Sequence, residues 1–322
     1  MKIALRLAAA LLFCTGTLSA HAQYPEKPLR LIVPFPPGGN IDATARIVAS
    51  GLSQRLGQSV IVENKAGAAG IVGAEFVARS APDGYTAVLG STGALAPLKA
   101  LHPNAKLEPT KDFAAAGTVA RAPLVLAVNA ALPVKTVAEF IRYAKERPGK
   151  LTMASAGVGT AAHLTGELFQ KLSGTRLLHV PYKGSSLAVA DLLGGHVDMT
   201  FDQLASTIAQ IKAGKLHALG VTTEKRSSVM PELPTLAESG LPGFEASTTT
   251  GVLFPAGTPK AVLDRVSAAM KETLAKPEVQ QQLRELGADA LPGSGADFDR
   301  ILASETVKWN KVAQAANIQP AD

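Results

Sequence analysis

The residues of this chain best suited to chemistry are glycine-rich turns that follow short apolar runs, and the chemistry they suit is anion binding. Pro36-Pro37-Gly38-Gly39-Asn40, Asn64-Lys65-Ala66-Gly67-Ala68-Ala69-Gly70, Gly90-Ser91-Thr92-Gly93 and Ser155-Ala156-Gly157-Val158-Gly159-Thr160 each stand just after such a run. A turn that opens a helix presents unpaired N–H groups and the positive end of the helix dipole, which together hold an anion without a charged side chain. Any one of these turns needs glycine for tightness alone. Their recurrence favours a shared site on one cleft.

Patterns for catalysis are missing. The chain has no Gly-x-Ser-x-Gly elbow, no His-Glu-x-x-His and no phosphate loop ending in Gly-Lys-Ser/Thr. His102, His163, His179, His196 and His217 are scattered and read as surface or capping residues, which argues against zinc. Gly157-Val158-Gly159-Thr160-Ala161-Ala162 has the Gly-x-Gly-x-x-Ala form of a dinucleotide turn, but the acidic residue expected roughly 20 positions on is absent. His179-Val180-Pro181-Tyr182-Lys183 stand there instead, so no cofactor is expected and the turn reads as an anion-binding helix N-terminus.

Among the carboxylates, Asp198 and Asp202 bracket a short strand. Asp198 reads as a turn or cap residue, while Asp202 lies at a carboxyl strand end, facing the inferred cleft. Asp42, at a helix start, has three readings: complement to the dipole, brace for the Gly38-Gly39 turn, or partner for a ligand amine.

The elements that must position these turns follow a regular rhythm of β-branched runs and longer stretches with helical periodicity. Leu29 to Pro34 precedes a helix over Asp42 to Leu56, Val60 to Glu63 precedes one over Ile71 to Ser80, and Thr86 to Leu89 leads into Gly90. The rhythm restarts after Pro133. Thr136 and Glu139 form a capping box for a helix ending near Arg147. Leu151 to Ala154 precedes the Ser155 turn and a helix through Leu172, Leu177 to Val180 precedes one through Leu193, and Met199-Thr200-Phe201 precedes Asp202-Gln203. After residue 250 the chain turns helical, with starts at Thr258-Pro259 and Pro277 and a long last helix over Asp297 to Ala315.

This is an α/β protein of two units with a helical tail, in which ligands sit beyond the carboxyl ends of mostly parallel strands. The restart after Asn129 and a second crossing strand near Thr250 to Phe254 divide it into lobe 1, residues 24–126 and 251–322, and lobe 2, residues 127–250.

With 322 residues, 47% of them hydrophobic, the chain can build two real cores. Residues 1–22 read as a secretory signal: Lys2 and Arg6 form the basic region, Leu7 to Leu18 the apolar stretch, and Ala20-His21-Ala22 the cleavage pattern. The apolar stretch is well short of a membrane-spanning helix. Leu12-Phe13 before Cys14 argue against lipid attachment there. Cleavage after Ala22 places the protein in the periplasm, removes the only cysteine and leaves a formal charge of +4. Dispersed Lys and Arg with 5% aromatics argue against nucleic acid.

Several segments together resemble the substrate-binding receptors of tripartite tricarboxylate transporters, the Bug-type proteins, over essentially the whole chain after the signal. They are Arg30 to Gly39, Val62-Glu63-Asn64-Lys65, His163 to Phe169, Val180 to Gly184, Asp191 to Asp198 and Pro231 to Gly240. The resemblance implies a type II periplasmic-binding-protein fold with two α/β lobes on a two-strand hinge. It also implies a ligand that is a di- or tricarboxylate, an acidic amino acid or an aromatic carboxylate, and delivery to membrane permease subunits. Carried over by position, lobe 1 would contribute Phe35, Gly38, Asn40, Asn64, Ala68, Gly70 and Ser91, and lobe 2 Ser155, Thr160, His163 and Asp202. Gly39, Asp42 and Gly159 complete the candidate set, and the receptor is expected to be a monomer. Ala66 and Ala69 replace a proline and a glycine of the family pattern, and Asn40-Ile41 and Val158 are not its commonest choices. These departures bear on ligand identity. Two other classes stay open from sequence: a hydrolase or lyase on the same scaffold, and a partner that presents its ligand to a sensor.

Overall fold

The computed structural model describes residues 24–318; the signal segment lies outside them. The first unit runs β1 (Leu29–Val33), α1 (Asn40–Leu56), β2 (Val60–Asn64), a 3₁₀ turn (Ala68–Gly70), α2 (Ile71–Ala78) and β3 (Thr86–Ser91), then short helices α3 (Thr92–Leu95) and α4 (Leu98–Leu101). The 17-residue strand β4 (Phe113–Asn129) leads into α5 (Val137–Lys145), β5 (Thr152–Ser155), α6 (Ala161–Ser173), β6 (Leu178–Pro181), α7 (Ser185–Gly194), β7 (Met199–Gln203), α8 (Leu204–Lys212) and β8 (Leu216–Val221). Strand β9 (Ser247–Pro255) returns, followed by α9 (Lys260–Leu274), α10 (Pro277–Glu285), β10 (Asp289–Ser294) and α11 (Gly295–Ala315).

Strands β1, β2 and β3 pair in parallel, β9 lies antiparallel beside β3, and β4 lies antiparallel beside β9. The first half of β4 also takes β10 on its other edge. Its second half, Leu124 to Asn129, pairs with β7 on one side and β8 on the other, and β5 and β6 extend the β7 edge in parallel. One long strand thus serves two groups of parallel strands, and β9, antiparallel to it from Pro123↔Ser247 to Phe113↔Pro255, is the second connection near the crossing.

Local signals account for most element ends. Thr136 accepts the Glu139 N–H at 3.1 Å, as a capping residue does, while the Glu139 carboxylate reaches one residue further back, to the Lys135 N–H at 2.7 Å. The last helix starts at Gly295, not Asp297, because Ser294 and Asp297 form a reciprocal capping box there. Pro259 sits just outside α9 as its N-cap, not at the first helical position. β9 is longer than the crossing strand read from sequence, and β7 extends through Asp202 to Gln203. Gly51 is set by packing: a Cβ there would stand 2.1 Å from Thr273 Cγ2, so α1 and α9 touch only because it is absent.

The core runs through the crossing. Phe140, Phe169, Phe201 and Phe244 interlock with ring centroids 5.4–6.5 Å apart, and each is buried to 1% exposure or less. Each such ring contributes about 1.5–3 kcal/mol by burial. Helix α11 lies across β4, α4 and α6 and adds Trp309, Val312 and Ala313 to the same cluster. Among the described residues no helix is long and apolar enough to cross a membrane.

Candidate ligand cleft

The carboxyl ends of β1, β2 and β3 face those of β5 and β7 across the crossing strands. Asn40 Nδ2, at the start of α1, donates to Gln203 Oε1 at the end of β7 at 2.9 Å. On the other flank a Cβ on Gly93 would lie 3.5 Å from Ala161, the first residue of α6, and one on Gly159 2.5 Å from Leu101. The N-termini of α1 and α6 therefore open toward the same space. The void behind the Asn40–Gln203 bond, about 10 Å³, is lined by Ile41, Thr44, Ala120, Ala122 and Thr248 among others.

On the first wall, Asp42 is the organiser. Its carboxylate accepts the Gly38 N–H at 3.0 Å, two bonds from the Arg46 guanidinium at 3.0 and 3.1 Å, and Asn64 Nδ2 at 2.8 Å. The Arg46 bonds, aided by Gly38 and Asn64, hold its pKa down to about 2 against the cost of burial. Of the three sequence readings of Asp42, its place in the first turn of α1 fits the dipole complement, and its bond to Gly38 braces the turn. Asn64 also donates to the Phe35 carbonyl at 3.1 Å, tying the first two turns together. Phe35 packs over Gly70, whose added Cβ would come within 3.1 Å of the ring. Ala68 and Ala69 are exposed and take left-handed φ of 44° and 53°, a backbone shape that costs an alanine about 1–2 kcal/mol and a glycine little. Gly39 is the exposed N-cap of α1, and Ser91, at the end of β3, is buried.

On the second wall, Ser155 Oγ accepts the Gly157 N–H at 3.1 Å and lies 2.7 Å from His179 Nε2. The Gly159 N–H donates to His163 Nδ1 at 3.0 Å, and Thr160 Oγ1 donates to the Gly157 carbonyl at 2.8 Å. His163 and His179 stack with centroids 3.8 Å apart and planes 8° from parallel.

Three readings change here. His163 and His179, scattered in sequence, are neighbours in space. A hydroxyl and an imidazole do meet, at Ser155 and His179, although no such pair was visible in the sequence. The turn glycines do not all offer their N–H groups, since Gly38, Gly157 and Gly159 spend theirs on Asp42, Ser155 and His163. The donors left to an anion are the first-turn amides of the helices, Ala161, Ala162 and His163 in α6 and Asn40, Ile41 and Asp42 in α1, which have no acceptor within their helix.

Asp202 is buried at 5% exposure and accepts Ser185 Oγ at 3.0 Å and the Gln203 N–H at 2.7 Å; burial pushes its pKa up. It braces the start of α8. Asp198 clips β5 by accepting the Thr152 N–H and hydroxyl at 2.7 and 2.8 Å, matching its reading as a turn residue. Arg46, His179, Ser185 and Gln203 were absent from the sequence-derived set. Only Arg46 had a local signal, four residues from Asp42 on one helix face. Among the described residues no cluster of three or more metal-ligating side chains occurs.

This architecture has known counterparts. The family model described as tripartite tricarboxylate transporter family receptor matches residues 44–318. A UPF0065 protein from the tcbD-tcbE intergenic region of Pseudomonas sp. strain P51 is 40% identical over 312 residues, 95% of this chain and 93% of that protein. The solved structure of the periplasmic binding protein BugD aligns at a TM-score of 0.80 and 36% identity over 92% of this chain and 100% of its own. Rpa4515 of R. palustris, solved with adipate, aligns at 0.84 and 36% over 92% and 100%. MatC of Rhodopseudomonas palustris, solved with malate, aligns at 0.79 and 30% over 90% and 99%. The fold is that of the periplasmic binding proteins, and the chain belongs to the tripartite tricarboxylate transporter receptor family, a family of solute-binding receptors and not of enzymes.

Proposed function

We propose that this protein is an exported periplasmic receptor that closes on a small carboxylate and hands it to the membrane subunits of a tripartite tricarboxylate-type permease. The signal is cleaved after Ala22, and the moving bodies are residues 24–126 with 251–322 and residues 127–250. The observation that carries the reading is the convergence of the α1 and α6 N-termini on one space beside the crossing of β4 and β9. Partial positive charge from two helix ends favours an anion, and enclosure strengthens each bond it accepts. Asn40, Ala68, Gly70, Thr160 and the first turn of α6 would face the ligand, while Asp42, Asn64, Ser155, His163 and Asp202 hold the walls in shape. Adipate on Rpa4515 and malate on MatC support a di-acid of modest length.

A thermal-shift screen of the purified protein tests this directly, because a ligand that binds only the native state at a hundred times its Kd stabilises it by about 2.7 kcal/mol. Adipate, malate, citrate, aspartate and benzoate form the panel, with sugars and cations as controls. A raised melting temperature for at least one carboxylate and none of the controls is expected. A response to the controls alone would overturn the reading.

A further inference from the structure

Beneath the turn between β5 and α6 lies an arrangement that the anion reading does not require. His163, 6% exposed, has its Nδ1 committed as acceptor for the Gly159 N–H, so its ring hydrogen sits on Nε2, which faces Glu167 Oε1 at 3.6 Å. His179, half-buried on β6, lies flat against it and touches Ser155 Oγ with Nε2. Two imidazolium ions cannot stack at 3.8 Å without strong repulsion, so the pair has room for one proton. A proton on His163 Nδ1 would forfeit the Gly159 bond, whereas His179 can take one and still donate to Ser155 Oγ. A proton on His179 thus keeps every hydrogen bond the pair makes.

We propose that His179 is a positioning residue whose protonation and the binding of a carboxylate at the β5–α6 turn favour one another, through the single hydrogen of Ser155. The proposal rests on the carboxylate reading of the cleft. With His179 neutral and its hydrogen on Nδ1, Nε2 is bare and the Ser155 hydroxyl spends its hydrogen on the imidazole or on the Gly157 carbonyl; the other neutral tautomer frees that hydrogen too, but without the charge that an anion stabilises. With His179 protonated, Nε2–H donates to Ser155 Oγ, and the hydroxyl hydrogen is free to turn to an anion at the turn. The anion gains a donor, and its charge stabilises the imidazolium. By linkage each effect implies the other to the same extent.

In the ligand-free protein, burial first and the His163 ring second lower the His179 pKa to about 4, opposed by Glu167. Among the described residues no other titratable group acts on it: from β5 it meets Ser155 and, in register, Met153, and Tyr182 beyond it on the chain turns its hydroxyl to Asp191. A bound carboxylate that restored the ordinary histidine value of about 6.5 would make binding about fourfold tighter at pH 6 than at pH 8. The same shift would draw in about three quarters of a proton per ligand at pH 6.

Isothermal titration with adipate and with malate, at pH 6 and pH 8 in two buffers of different ionisation heat, reads both quantities for wild type and His179→Gln. The titration of the probe itself is common to the two proteins and cancels in their difference. Wild type is expected to bind about fourfold tighter at pH 6 with net proton uptake, and His179→Gln to lose both. Proton NMR of the histidine rings in wild type gives a measure independent of the variant: saturating adipate or malate, whichever binds, should raise the titration midpoint of one ring by about 2.5 pH units. Binding with no proton uptake and an unmoved midpoint overturns the linkage and leaves the carboxylate reading standing. Absence of heat with either probe at both pH values overturns the linkage for these di-acids, while the thermal-shift panel decides the carboxylate reading itself.

Discussion

Replacing Asp42 by Asn tests whether the first turn is held by a charge. The aspartate is 3% exposed and accepts from Gly38, Arg46 and Asn64, and its pKa stands at about 2 against an ordinary 3.8. At 1.36 kcal/mol per pKa unit this difference is worth about 2 kcal/mol at neutral pH. Because the Arg46 side chain is 55% exposed, solvent screens its part and the expected contribution falls to about 1–2 kcal/mol. A carboxylate with a depressed folded pKa stabilises above its unfolded value and loses that contribution as pH falls from about 4 toward 2. Urea unfolding followed by fluorescence of Trp309, the single tryptophan and buried in α11, should show Asp42→Asn less stable by about 1–2 kcal/mol at pH 7. The gap should narrow to about half at pH 3. The amide is nearly isosteric, so packing is unchanged. An equal gap at both pH values, or none at pH 7, would refute the argument that charge braces the turn.

Thr160→Ala removes the 2.8 Å bond to the Gly157 carbonyl while leaving the α6 amides in place, so carboxylate affinity should fall by about tenfold or less by calorimetry. Asn40→Ala and Gln203→Ala break the same 2.9 Å bond, and a double-mutant cycle in urea unfolding should return a coupling of about 0.5–1.5 kcal/mol. Zero coupling would mean that the bond does not persist in solution. Intact-mass analysis of periplasmic extract should find a chain beginning at Gln23, and a mass that retains Met1 or carries lipid on Cys14 would refute the processing proposed from Ala20-His21-Ala22.

The sequence by itself determined the elements and the places where they turn, because those depend on residues next to one another. The apolar runs from Leu29 and Leu151, the cap at Thr136 and the glycines that close α1 and α6 in left-handed conformations at positions 57 and 174 are all local facts. The Ser294–Asp297 capping box was equally local, a Ser-x-x-Asp before an apolar stretch. Order and spacing of the quoted segments were enough to identify the family. What the turns do with their hydrogen bonds was decided by the tertiary structure. Gly159 looks free in sequence, yet its N–H is consumed by a histidine one helical turn on, whose ring is held in place by His179 sixteen residues further. The Ser155–His179 and Asn40–Gln203 contacts span 24 and 163 residues. No periodicity or composition predicts them, because they exist only once two strand groups have paired through β4 and brought their carboxyl ends face to face.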